Sequence, residues 1–96
     1  MIASNTKVDV ELIPKAKKLR SFLRETKFRD GKLVVKDIFA YLYSLNEANK
    51  IYEELKEREH YQDTVRYYES KVSFVKEILR KEYGILLHQG EWEINP

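Results

Sequence analysis

The sequence predicts a mainly α chain with a C-terminal β-hairpin, an α+β fold, and three observations carry that expectation. The first is an apolar stripe. Tyr61, Val65, Tyr68, Val72, Val75 and Leu79 recur at alternating intervals of four and three, which keeps them on one face of a helix of about five turns. The second is the run Ile85 to Ile94, two strand-like segments around Gln89-Gly90, a pair suited to a tight turn. The third is Pro14, tolerated only in the first turn of a helix, beside the stripe Leu12, Ala16, Leu19, Phe22 and Leu23.

Taken in order, Met1 to Val8 is polar and without periodicity, so a flexible arm is expected there. The Pro14 helix begins near Asp9 or Ile13. Phe28-Arg29-Asp30-Gly31 ends it, Asp-Gly being a turn signal, and Lys32 to Val35 is β-prone, which leaves room for a short third strand at Leu33 to Val35. A short helix follows from Asp37 to Tyr43, with Ile38, Phe39, Tyr41, Leu42 and Leu45 directed at the core. Ser44-Leu45-Asn46-Glu47 matches a capping box and argues for a break. The next helix is Asn46 to Glu59, with Ala48, Ile51, Tyr52 and Leu55 inward and Glu54 and Arg58 paired on the solvent side. Its stripe slips out of phase at Tyr61, which places a turn at His60 to Asp63 with Asp63 as cap. One bent helix of nearly forty residues is the alternative.

The long helix carries a second stripe, Tyr67, Phe74 and Ile78, and ends at Gly84, a left-handed stop that lets Ile85 fold back on Leu79. A two-residue loop sets His88 opposite Glu91, Leu87 opposite Trp92, Leu86 opposite Glu93 and Ile85 opposite Ile94. Ile85, Leu87, Trp92 and Ile94 then share one face. The expected core joins Leu19, Phe22, Leu23, Ile38, Phe39, Leu42, Leu55, Val72, Val75, Leu79, Leu87 and Trp92.

Ninety-six residues, 43% hydrophobic and 35% charged, describe one globular domain over 1–96 and exclude a disordered chain. The absence of cysteine excludes disulfides, Cys-ligated zinc and a thiol nucleophile. No apolar run is long enough to span a membrane and no signal peptide is visible, so an intracellular, cytoplasmic protein is the expectation.

Charge is unevenly placed. Lys15, Lys17, Lys18, Arg20, Arg24, Lys27 and Arg29 face only Glu25 between Pro14 and Arg29. Between Asn46 and Asp63 the sign reverses, with Glu47, Glu53, Glu54, Glu57, Glu59 and Asp63 against Lys50, Lys56 and Arg58. Such a basic helix attracts phosphates, or else the acidic helix of its own or a neighbouring molecule.

The order from Leu33 to Ile94 resembles the winged helix-turn-helix DNA-binding domains: a short strand, helices at Asp37 to Tyr43 and Asn46 to Glu59, a recognition helix ending in Ile78-Leu79-Arg80-Lys81-Glu82-Tyr83-Gly84, and a wing from Ile85 to Ile94. The resemblance implies a winged-helix-like arrangement of four helices and a DNA-binding protein, a transcriptional regulator or an accessory to DNA maintenance. It also implies that the outward strip Arg66, Ser70, Ser73 and Arg80 reads the groove. Lys17, Lys18, Arg20 and Arg24 would add phosphate contacts. Glu77 within the strip, and Glu91 and Glu93 in a wing without Lys or Arg, depart from that pattern.

The alternative is a protein-interaction or oligomerisation module with an acidic partner or a second copy. In it Tyr67, Phe74 and Ile78 form a homodimer interface. Catalysis has little support. Glu57 and His60 have a Glu-x-x-His spacing that shares a helical face, but bundle-type metal sites need a second copy. No cofactor and no metal are expected, and the chain is read as a non-enzyme.

Overall fold

The computed structural model describes residues 10–88 and 91–94, with side chains described as far as Leu86. The expected arm over 1–8 and the expected burial of Leu87 and Trp92 lie outside what is described.

Pro14 near its start and Thr26 at its end bound helix α1, Ile13–Glu25. Ala16, Leu19 and Leu23 are its buried side. Thr26 turns to extended geometry, and both its N–H and its hydroxyl donate to the Phe22 carbonyl at 3.0 Å. Two short strands follow, β1 (Lys27–Arg29) and β2 (Lys32–Val34), paired antiparallel with Phe28 opposite Leu33. Asp30 and Gly31 both adopt positive φ, 52° and 74°, as a type I′ turn requires. The β-prone run is therefore a strand, one residue earlier than expected, and its partner is β1 in a hairpin of its own.

Helix α2 runs unbroken over Ile38–Leu55. Asp37 caps it by accepting from the N–H groups of Phe39 and Ala40 at 3.0 and 3.3 Å. The expected break at Ser44 is absent, so the described residues form three α-helices where four were expected. Leu42, Leu45, Ala48, Ile51 and Leu55 are all buried from this one helix. A break at Ser44 would turn half of them away, and the burial of these side chains outweighs a single cap. Phe39 is a second correction: it is 64% exposed, because it lies a turn aside from the Ile38, Leu42 and Leu45 line.

The phase slip before Tyr61 is a break, but it falls over Lys56 to Tyr61 and not at the expected His60 to Asp63, and the helix expected to reach Glu59 ends at Leu55. The chain leaves α2 at Lys56, passes a 3₁₀ turn at Glu59–Tyr61 and enters α3, Gln62–Ile78. Neither Gly nor Pro forces this. Gln62 holds it, donating through Nε2 to the carbonyls of Lys56 and Arg58 at 3.1 and 3.0 Å. Asp63 lies in the first turn of α3, where no side chain caps. Arg58 lies outside α2, so Glu54 pairs with Lys15 on α1 and not with Arg58.

The stripe of α3 faces inward as its spacing requires, with Tyr61, Val65, Tyr68, Val72, Val75 and Leu79 all buried. The helix widens into a π turn at Leu79–Tyr83 and stops at Gly84, whose φ of 64° is the left-handed end. Strands β3 (Ile85–His88) and β4 (Glu91–Ile94) then pair in the expected register, Ile85 with Ile94 through His88 with Glu91. Ile85 is buried and Leu86 exposed, as alternation predicts. The protein is mainly helical with two small antiparallel hairpins.

The α2–α3 seam is aromatic and polar together. Tyr52 and Tyr68 stack at 4.4 Å, Tyr68 donates to Asn49 Oδ1 at 3.0 Å and Tyr52 to Glu69 Oε2 at 2.6 Å. On the other side Phe22 stacks on Tyr41 at 5.4 Å.

Candidate nucleic-acid interface

The outward strip of α3 is where base-reading groups were expected, and its charges are largely spent within the strip. Arg80 donates to Glu77 Oε1 at 2.6 Å, and Lys81 lies 3.5 Å from the same oxygen. The Arg80 hydrogen bond, with the positive charges of Arg80 and Lys81, holds the Glu77 carboxyl below its usual range. Arg66 faces Asp63 at 3.8 Å with both side chains open to water. Ser73 lines a groove of about 370 Å³ together with Glu53, Glu69 and Lys76. Two arginines with carboxylates beside them, and a serine with two acids and one lysine around it, make a poor phosphate track.

The basic flank of α1 differs. Lys15 is bound to Glu54 at 2.8 Å, but Lys17, Lys18, Arg20 and Arg24 have no carboxylate partner among the described residues. Arg20 donates to Thr64 Oγ1 at 3.0 Å, which turns this flank toward α3, and Arg24 reaches only Ser21 Oγ at 3.3 Å. Lys17, Arg20 and Arg24 follow one another at helical spacing along that side. The acidic stretch expected as a partner for α1 supplies one bridge, from Glu54. Its other carboxylates turn elsewhere: Glu47 pairs with Lys50, and Glu53 pairs with Lys56, whose pKa it raises by hydrogen bond and charge.

Between α1 and α3 lies a side chain that sequence reasoning missed. Lys71 donates to the Leu23 carbonyl at 2.5 Å, which satisfies one of the carbonyls left open in the last turn of α1. Its ammonium group also sits 5.7 Å from the Tyr67 ring and 5.9 Å from that of Phe28. Phe28 meets Phe74 edge-on at 6.5 Å. The expected strip of Tyr67, Phe74 and Ile78 is thus joined by Phe28 of β1, which covers part of it. Ile78 is half-buried, while Tyr67, Phe28 and Phe74 remain 36%, 38% and 66% exposed. Helical spacing places Lys71, four residues after Tyr67 and three before Phe74, on their side of the helix, but nothing in the sequence signals its bond to Leu23. Phe28 carries no signal either, because a three-residue strand shows no alternation.

Glu57 and His60 do not share a helical face, because α2 ends before them. Among the described residues no cluster of His, Cys, Asp and Glu could hold a metal ion. No helix among them is long and apolar enough to cross a membrane. No family model matches the chain, and no curated protein or solved structure matches it.

Proposed function

We propose that this chain is a small DNA-binding protein, a regulator or DNA-maintenance accessory, that holds the phosphate backbone with the free flank of α1. One observation carries the reading: among the described residues Lys17, Arg20 and Arg24 have no carboxylate partner and follow one another at helical spacing along one side of α1, with Lys18 unpaired on the side toward α2. Lys27, Arg29, Lys36, Arg58, Lys71 and Lys76 are unpaired too but form no such row, while Lys15, Lys32, Lys50, Lys56, Arg66, Arg80 and Lys81 each face a carboxylate within 4.0 Å. Unneutralised cations in a row gain most from a polyanion, whose condensed counterions they release. The long helix running into a hairpin is the part of the winged helix-turn-helix pattern that supports this. The single α2 stands where that pattern has two helices, and the weight moves from the α3 strip to α1.

The exposure of Phe74 and Tyr67 favours a second reading, a protein-interaction module that forms a homodimer or takes an acidic partner. A titration of labelled duplex DNA at about 50 and 200 mM salt separates the two. The DNA reading expects binding at the lower salt and a clear loss at the higher. No binding at either salt, with a dimer in sedimentation, selects the second.

A further inference from the structure

We infer that the face made by Tyr67, Lys71, Phe74 and Phe28 receives the unpaired bases of a single-stranded nucleic acid while Lys17, Arg20 and Arg24 track its phosphates. The inference rests on the nucleic-acid reading above and names the form of the ligand.

Single-strand binding combines exposed aromatic faces with a positively charged surface that tracks the backbone. Lys71 lies 5.7 and 5.9 Å from two such rings. Phe74 and Phe28 brace each other at 6.5 Å, and Lys71 is fixed between Tyr67 and Phe28 by its bond to the Leu23 carbonyl. That same bond ties the aromatic face to the end of α1, the helix that carries the free cations. Beyond Phe74 the surface continues as a mainly apolar groove of about 460 Å³ lined by Phe28, Gly31, Phe74 and Ile78, with Glu77, Lys81 and Glu82 at its polar edge. That lies within the roughly 300 to 1,000 Å³ typical of small-molecule sites. A side-chain carbon at Gly31 would meet nothing within 4 Å, so the groove is open on that side.

Duplex DNA hides the π faces of its bases within the stack and offers this face only phosphates and groove edges, whereas unpaired bases can be splayed onto aromatic rings. A second copy of the chain fits less well. A second copy presents the same face, with its own Lys71 among the rings. The carboxylates at the far end of the face are already engaged, Glu77 by Arg80 and Glu82 by Lys32 at 3.9 Å. With those two carboxylates paired, an anion is the better counter-charge for Lys71.

The test is fluorescence anisotropy with a short labelled oligothymidylate and a duplex of the same length, at low salt, on the full chain and on Phe74→Ala, Phe74→Tyr and Lys17→Gln/Arg24→Gln. The single strand should bind more tightly than the duplex. Phe74→Ala should weaken single-strand binding roughly 5- to 150-fold, the span of base–aromatic stacking, with Phe74→Tyr restoring most of it. The paired α1 substitution should weaken both ligands. Circular dichroism checks that each variant keeps its helices. Equal affinity for the two ligands, with Phe74→Ala without effect, overturns this inference and leaves the phosphate-binding role of α1 standing. No binding to either ligand overturns both, and a dimer that Phe74→Ala dissolves would then assign the face to self-association.

Discussion

Single side chains divide sharply between those that hold the fold and those that only resemble core residues in sequence. Leu45 is fully buried at the centre of α2, whereas Phe39, apolar and only six residues earlier, stands in water. Leu45→Ala should therefore cost about 2 to 5 kcal/mol in urea unfolding, and Phe39→Ala should stay within about 0.5 kcal/mol of the parent. Tyr41 gives a second test at this scale. Burial pushes its phenol from 10.0 up to about 12, against a smaller opposite effect of the Thr26 hydroxyl. A raised folded pKa favours the neutral form in the native state, so its contribution is intact below the unfolded value near 10.0 and is lost as pH rises through about 12. The tyrosinate absorbance lost in Tyr41→Phe relative to the parent should belong to the late part of the titration, above the ordinary phenol range. A difference confined to the ordinary range near 10.0 would show that Tyr41 is open to water. Lys71 shows why the site was hard to read at this scale. A lysine on a helix flank has no sequence signature, and its role comes from the Leu23 carbonyl and the two rings that folding brings to it.

At the scale of elements, periodicity carried most of the fold. The α3 stripe, the Pro14-headed α1 and the C-terminal hairpin with its register all follow from spacing, because each buries one face and a slip would turn that face outward. Local signals were less dependable. Ser44-Leu45-Asn46-Glu47 has the chemistry of a capping box but lies inside a helix whose buried residues continue through it. Asp37, with no glutamate three residues on, is the working cap. Asp37→Ala should cost roughly 1 kcal/mol, while Ser44→Ala should be neutral or slightly stabilising, since alanine is the better residue in a helix interior. A loss at Ser44 equal to that at Asp37 would mean that α2 is broken in solution. The N-terminal hairpin was legible in part: Asp30-Gly31 announced the turn, but three-residue strands are too short to show alternation. The junction before α3 was visible only as a loss of phase, and what holds it, Gln62 bound to the carbonyls four and six residues before it, is a local side-chain bond that periodicity does not reveal.

For the whole molecule, charge placement decides between the surfaces the sequence offered. Composition shows a basic N-terminal third and an acidic middle, and folding determines which charges neutralise each other. The α3 arginines meet acids one turn away, and Lys15 meets Glu54 across the α1–α2 seam. Lys17, Lys18, Arg20 and Arg24 are left without a carboxylate partner among the described residues, and Lys71, bound to the Leu23 carbonyl, links their helix to the exposed aromatic face. The central claim is that these cations contact phosphates. The most direct measurement is the slope of log affinity for duplex DNA against log salt, in the parent, in Lys17→Gln/Arg24→Gln and in Arg80→Gln. The account predicts a slope shallower by about 0.9 for each phosphate contact removed in the α1 variant, and an unchanged slope in Arg80→Gln. A slope that flattens for Arg80→Gln and not for the α1 variant, or no measurable binding by the parent at low salt, would contradict it.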